Sequence, residues 1–292
     1  MSTMYVGWAE TDITPGPKIS LMGQFSERIS EYIEKPLTAT AMALQEGDVQ
    51  AVIVSCDLLD IAWGLVEAVR NRLMGNDKGL DPRSVMIAAI HTHTGPVYWP
   101  KKGRAARYKE KSRMNSITLR AQIESFLPPG KNYVEAQKIT GNKDIFPVKD
   151  TLPFLADRIA KVALEAWENR SPGTFANAFG RAALGMCRRA VYSDGSAQMW
   201  GETNLAVFQE LEGGNDSGIE LLFAYGENGR LRGIVANIAC PAQCVQHRLI
   251  VSPDYWGEVK MRLRKYFGED LFLLPLCSAA GDQCPVDLVR WV

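Results

Sequence analysis

Long apolar runs are missing from this sequence, and no stretch is long enough to span a bilayer. Charge of one sign is missing too. The 33 basic and 33 acidic residues give a formal net charge of +0, which excludes a general electrostatic pull toward nucleic acid or anionic membrane. The first residues, Met1-Ser2-Thr3-Met4-Tyr5, lack the basic and apolar segments of a secretory leader. The six cysteines are scattered without the spacing of a disulfide framework, which fits a reducing compartment and makes the cytoplasm the expected location. Histidine is scarcest of all, with three in 292 residues.

What is present is an ordinary globular composition, 46% hydrophobic and 23% charged, enough for a substantial core. The patterning is mixed α/β. Tyr5 to Ile13 reads as a strand closed by Thr14-Pro15-Gly16-Pro17, and Leu37 to Leu44 and Val49 to Cys56 as strands joined at Gly47-Asp48. Ile61 to Leu73 has helical periodicity. Leu152 to Trp167 repeats it, with Leu155, Ile159, Val162, Ala163 and Ala166 on one face. Thr174 to Gln198 reads as strand and turn around Asp194-Gly195, and Ile219 to Tyr225 with Leu231 to Ala239 as a hairpin around Asn228-Gly229. Tyr255 to Phe267 is a further helix and Leu271 to Leu276 a final buried strand. The fold class expected is a single α/β domain over residues 1–292, a mixed sheet flanked by helices. Residues 97–149 are an insertion, basic from Lys101 through Arg113, that is either a lid or a solvated surface segment.

Two of the three histidines stand together, His91-Thr92-His93, after the apolar run Ser84 to Ile90 and before Gly95-Pro96. Open α/β sheets place ligand sites at the carboxyl ends of their strands. In an extended chain residues i and i+2 share a side, so both imidazoles would face one pocket and Thr92 would point away. Imidazole binds transition metals and moves protons near neutral pH.

At this point the sequence resembles the neutral, non-lysosomal ceramidase family. The resemblance rests on Asp12-Ile13-Thr14-Pro15, on Val54-Ser55-Cys56-Asp57-Leu58 and on His91-Thr92-His93-Thr94-Gly95-Pro96. It continues in Cys187-Arg188-Arg189 before Asp194-Gly195-Ser196, in Ala239-Cys240-Pro241-Ala242-Gln243 before Val251 to Gly257, and in Ala280-Gly281-Asp282-Gln283-Cys284-Pro285. Each segment alone is weak; the ordered set spans nearly the whole chain. The family are zinc amidases that cleave the N-acyl bond of ceramide. The resemblance implies a zinc-dependent hydrolase of an amide or related acyl bond. His91 would be a zinc ligand, His93 a polar catalytic group and Arg188 a group that binds the reacting centre.

Three departures bear on that reading. The family's second zinc histidine falls where this chain has Ala239-Cys240-Pro241, so His247, or a thiolate from Cys240 or Cys244, would have to replace it. Cys284 stands in place of the serine of the family's G-D-x-S-P motif, beside Asp282. It is either a nucleophile, if its pKa is lowered, or a small residue shaping the pocket. The family's further Glu and Tyr ligands come from sequence beyond that motif, and this chain ends at Val292. Asp57 is expected to support a metal ligand. The expected partner is a small soluble amide or ester rather than long-chain ceramide, with no nucleic acid and no membrane span; self-association is left open. Two alternatives stand beside the zinc hydrolase: a cysteine hydrolase using Cys284 with His93 as base, and a non-catalytic binding relative. A last expectation is geometric. If the strands before Asp57, His91, Cys240 and Ser278 run parallel in one sheet, His91, His93, Asp57, Asp282 and Cys284 share one pocket with Arg188 at its rim.

Overall fold

The structure is a computed structural model and describes residues 3–24, 28–98 and 144–290. The insertion read over 97–149 lies for the most part outside the described residues, as does its basic run.

Eight strands form one sheet: β1 (Met4–Asp12), β2 (Thr38–Glu46), β3 (Val49–Cys56), β4 (Val85–Ala89), β5 (Ser171–Arg181), β6 (Gly218–Gly226), β7 (Leu231–Ile238) and β8 (Phe272–Cys277). Their spatial order is β8-β7-β6-β5-β1-β2-β3-β4. Among the described residues three helices accompany them: α1 (Trp63–Leu73), α2 (Val148–Glu168) and α3 (Tyr255–Phe267). The expected hairpins are present. β2 pairs antiparallel with β3, and β6 with β7, around the positive-φ glycines Gly47 and Gly229.

The sheet is not flat. β5 and β1 are joined by only two register pairs, Tyr5↔Pro172 and Val6↔Ser171, and at that seam the sheet folds back on itself. Trp8 of β1 therefore stacks on Phe272 of β8, ring centroids 5.7 Å apart, although three strands separate them in the sheet order. The period-2 alternation of each strand sorts its side chains. Val6, Trp8, Met42, Ala224, Val235 and Leu274 fill the layer between the two halves. The alternate positions Ala9, Ala41, Val52 and Val54 pack outward with Leu65 of α1 and Leu155 and Ile159 of α2. Ile234, Ala236 and Leu273 pack outward with Trp256 of α3. The result is four layers, helices outside and two half-sheets inside. Pro275 sits in β8, an edge strand, where the missing N–H breaks no ladder; its carbonyl accepts from Ser55 Oγ of the opposite half at 2.5 Å.

This overturns the expectation of parallel strands. β3 and β4 are parallel, and so are β7 and β8. Between β3 and β7, however, every step through β2, β1, β5 and β6 is antiparallel. The two pairs therefore run in opposite senses around the sheet. The segments that follow β4 and β7 meet nonetheless: Ala242 N donates to Ile90 O at 3.3 Å, and Thr92 and Thr94 hydroxyls both donate to Ser252 O.

Candidate functional site

The β3–β4 ladder continues past both strands. Ile90 N donates to Cys56 O and Thr92 N to Leu58 O, each at 3.2 Å, which lays residues 90–92 beside 57–59. His91 then leaves extended geometry, with φ 65°, a region that costs a non-glycine residue of order 1–3 kcal/mol and clusters at functional sites. So the expected i, i+2 argument does not hold at His91. The rings meet nonetheless, edge to face with centroids 5.1 Å apart, because Thr92 is pinned on the other side by its bond to Ser252 O.

His91 Nδ1 lies 2.9 Å from Leu59 O. A carbonyl only accepts, so Nδ1 carries the proton and Nε2 keeps its lone pair. This is how a backbone carbonyl fixes a metal-ligating imidazole. Burial first, and the nearby Arg188 cation, push the His91 pKa down against the raising effect of the Leu59 bond. His93 is 8% exposed, and its Nε2 is 2.6 Å from Gln243 Nε2. The amide donates to this ring nitrogen, which puts the ring proton on Nδ1. Burial, then the charges of His91, Arg28, Arg188 and His247, push the His93 pKa down to about 3. Both imidazoles are thus neutral at pH 7.

Arg188 reaches the same place from the opposite half of the molecule. The short strands Met186–Cys187 and Gln283–Cys284 pair antiparallel. Arg188 N donates to Asp282 O, and Arg188 Nη2 to Gly281 O, both at 2.8 Å. The guanidinium lies over Trp200, 5.5 Å from the ring centroid, and its Nε is buried without a hydrogen-bond partner among the described residues. Cys284 is fully buried, and its Sγ faces Val286 O at 3.1 Å. Burial pushes its pKa up, so it is a thiol at neutral pH.

Other expected members are placed differently. Asp57 is buried in the ladder beside His91, but its carboxylate turns to Thr38, accepting from N at 2.7 Å and Oγ1 at 2.9 Å; the support of the His91 ring is Leu59 O. Cys240 is buried with Sγ on Leu184 O at 3.2 Å, and burial pushes its pKa to about 12. Cys244 and His247 are exposed. Among the described residues no three His, Cys, Asp or Glu side chains are grouped to hold a metal ion. His91 fits zinc as one oriented ligand, but the donor set expected around it is not assembled.

Arg28, Gly23 and the role of Gln243 are seen only in the structure. Arg28 is buried and has no carboxylate partner among the described residues. It donates to His93 O at 2.5 Å, Met22 O at 2.8 Å and Gln246 O at 2.6 Å, so one cation gathers three loops around His93. Gly23, at φ 110°, lies against the ring, and a Cβ there would come within 2.5 Å of His93 Cγ. Gln243 stood inside a quoted motif segment, the one signal available for it. Four buried polar atoms here, Arg28 Nε, His93 Nδ1, Arg188 Nε and Gln243 Oε1, have no hydrogen-bond partner among the described residues, a concentration that favours a site for a polar reactant.

No family model matches the sequence, and no curated protein matches it. Two solved structures are similar in fold. A ceramidase complexed with C2 superimposes with a TM-score of 0.70 at 18% identity, over 98% of this chain and 39% of that one. The neutral ceramidase from Pseudomonas aeruginosa gives 0.68 at 19% identity, over 98% and 40%. The chain has the α/β fold of the neutral ceramidases and spans about two-fifths of their length. No described helix is long and apolar enough to cross a membrane.

Proposed function

We propose that this chain is a hydrolase of an amide or related acyl bond. The observation that carries the reading is the pair of neutral imidazoles, 5.1 Å apart at the end of β4, with the Arg188 cation acting on both. Zinc is the cofactor this reading calls for, and His91 Nε2 is the nitrogen that would hold it. A bound zinc supplies an acidified water and a polarised carbonyl. The chain's own groups divide the remaining work. Arg188 Nε–H, buried and without a partner among the described residues, is a donor for a developing oxyanion. His93 serves as a neutral polar group rather than a general base, since a base works best with a pKa near the operating pH and His93 is pushed to about 3. Arg28 fixes the backbone of His93. The substrate proposed is a small soluble amide or ester, in keeping with the polar, basic run Lys101 to Arg113 that follows His93 in the sequence.

The test uses protein purified free of metal, reloaded with zinc, and assayed on short- and long-chain N-acyl amides. Wild type should take up zinc and hydrolyse short-chain amides in a chelator-sensitive way, and His91→Ala should do neither. Negligible zinc in both proteins, or faster turnover of long-chain ceramide than of any short analogue, overturns the reading. Cys284→Ser separates the cysteine route. It should retain most activity, because a buried thiol with a raised pKa is a poor nucleophile.

A further inference from the structure

β5 stands in the middle of the sheet order, yet one of its two edges is mostly uncovered. β1 pairs with it only at Ser171 and Pro172, and β5 runs on to Arg181. On the other side β6 pairs with it from Gly173 to Arg181 without a register shift. Ala182 N donates to Ser217 O at 2.9 Å, one step beyond the last β5–β6 pair. Even-numbered residues of β5 therefore turn their N–H and C=O toward β6, because the pattern alternates along an antiparallel ladder. Those of Phe175, Asn177 and Phe179 point away from β6. They have no backbone partner among the described residues.

A bare strand edge is a template for pairing with another chain, and it is normally blunted by charge, proline or a bulge. Gly173 to Gly180 has none of these. Ala176, Asn177, Ala178 and Phe179 are all exposed, Phe179 by 55%, so the edge is open to approach. Its sequence also reads the same in both directions, Phe175-Ala176-Asn177-Ala178-Phe179. Antiparallel pairing across a two-fold axis at Asn177 would set like against like. Phe175 would meet Phe179 of the second copy, Ala176 would meet Ala178, and Asn177 would meet its own equivalent. The residues whose backbone groups point outward would become the hydrogen-bonded positions. Arg181 would fall opposite Gly173 rather than opposite another cation.

We propose that the open edge of β5 is an interaction surface for a second copy of this chain, paired antiparallel over Phe175–Phe179 about a two-fold axis at Asn177. Cross-strand aromatic pairs stabilise this register, and the palindrome supplies two of them at once. A two-fold contact uses the same edge on both copies, so association closes at the dimer. One strand pair is a small interface. The dimer should therefore form at high protein concentration and come apart on dilution.

Sedimentation equilibrium of the full chain, from low to high micromolar concentration, is the test. The average mass should climb from one chain toward two and no further. Asn177→Lys and Asn177→Asp each set like charges across the axis from an exposed position, and each should weaken the dimer roughly tenfold. An equimolar mixture of the two should recover it, which a general loss of structure would not. Asn177→Pro removes one outward N–H and leaves the β5–β6 ladder whole, so it should stay a monomer. Should that variant fold poorly, the two charge variants decide. His91→Ala should dimerise as wild type does. A single-chain mass at every concentration, growth beyond two chains, an undiminished dimer in either charge variant, or no recovery on mixing them overturns the proposal.

Discussion

His93 shows how burial turns a side chain's ordinary chemistry around. An exposed imidazole titrates near ~6.5; this one is pushed to about 3 by its burial and by neighbouring positive charge. As pH falls below ~6.5 the unfolded chain takes up a proton that the folded chain refuses until about 3. Stability is present above the unfolded pKa and is lost as pH falls through that window, at up to ~1.4 kcal/mol per unit. Denaturant titrations of metal-free protein at pH 7 and pH 5 should therefore show a smaller loss in His93→Gln than in wild type. Equal losses would refute the assignment. The ring is also held sterically. Gly23→Ala forces a methyl onto it from a backbone at φ 110°. It should cost about 2–3 kcal/mol, the range for a strained backbone with a packing clash, and shift the His93 ring resonances. A variant as stable as wild type would show the contact to be soft.

Among the elements, the start of α3 decides where the Gln243 loop sits. Asp254 caps the helix at φ 60° and ψ −145°. Its carboxylate accepts from Tyr255 N at 2.7 Å, Cys244 N at 3.1 Å and Val245 N at 2.8 Å. One side chain thus ties the segment carrying Gln243, Gln246 and His247 to a helix whose Trp256 is buried against β7 and β8. Asp254→Ala keeps the strained backbone and loses all three bonds. It should lose about 2 kcal/mol, within the range for leaving buried donors unmade. Asp254→Gly loses the same bonds but relieves the backbone, so it should lose less. In both, the Gln243 side-chain amide signals should broaden as the loop loosens. If glycine proves worse than alanine, strain at this position is not what the geometry implies.

For the whole molecule, the shared inner layer makes the two half-sheets one unit. Met42 of β2 lies in it with Val235 of β7 and Leu274 of β8, and is 1% exposed. Met42→Ala should cost about 2–5 kcal/mol, as large-to-small changes in a tight core do. Hydrogen exchange should quicken together at Ala41 in one half and Ala236 in the other. Acceleration confined to the β2 side would mean that the halves unfold independently. Polar groups also cross between layers. Lys260 and Arg264 of α3 both pair with Glu10 of β1, at 2.9 and 3.0 Å. Burial alone would raise the Glu10 pKa, but the two cations hold it below its ordinary value. This contribution to stability is present above the unfolded carboxylate pKa and fades as pH falls through the folded one.

The sequence by itself determined the strands, the helices and the placing of His91-Thr92-His93 after a buried strand. Those signals are local. Alternation of period 2, periodicity of 3.6 and turn pairs such as Asn228-Gly229 act over a few residues, and α3 begins and ends where its pattern does. Tertiary structure decided the rest. That the sheet folds at Val6 and Ser171, and that five antiparallel steps set β7 and β8 against β3 and β4, depends on which strands pair and how two faces pack, which no strand records. The site is nonlocal in the same way. Arg28 meets His93 across 65 positions, Gln243 meets it across 150, and Arg28 meets Gln246 across 218. A lone arginine in a polar stretch carries no pattern to announce a buried clamp. The Leu59 carbonyl that sets the His91 tautomer is a backbone atom, so its residue type says nothing about the role.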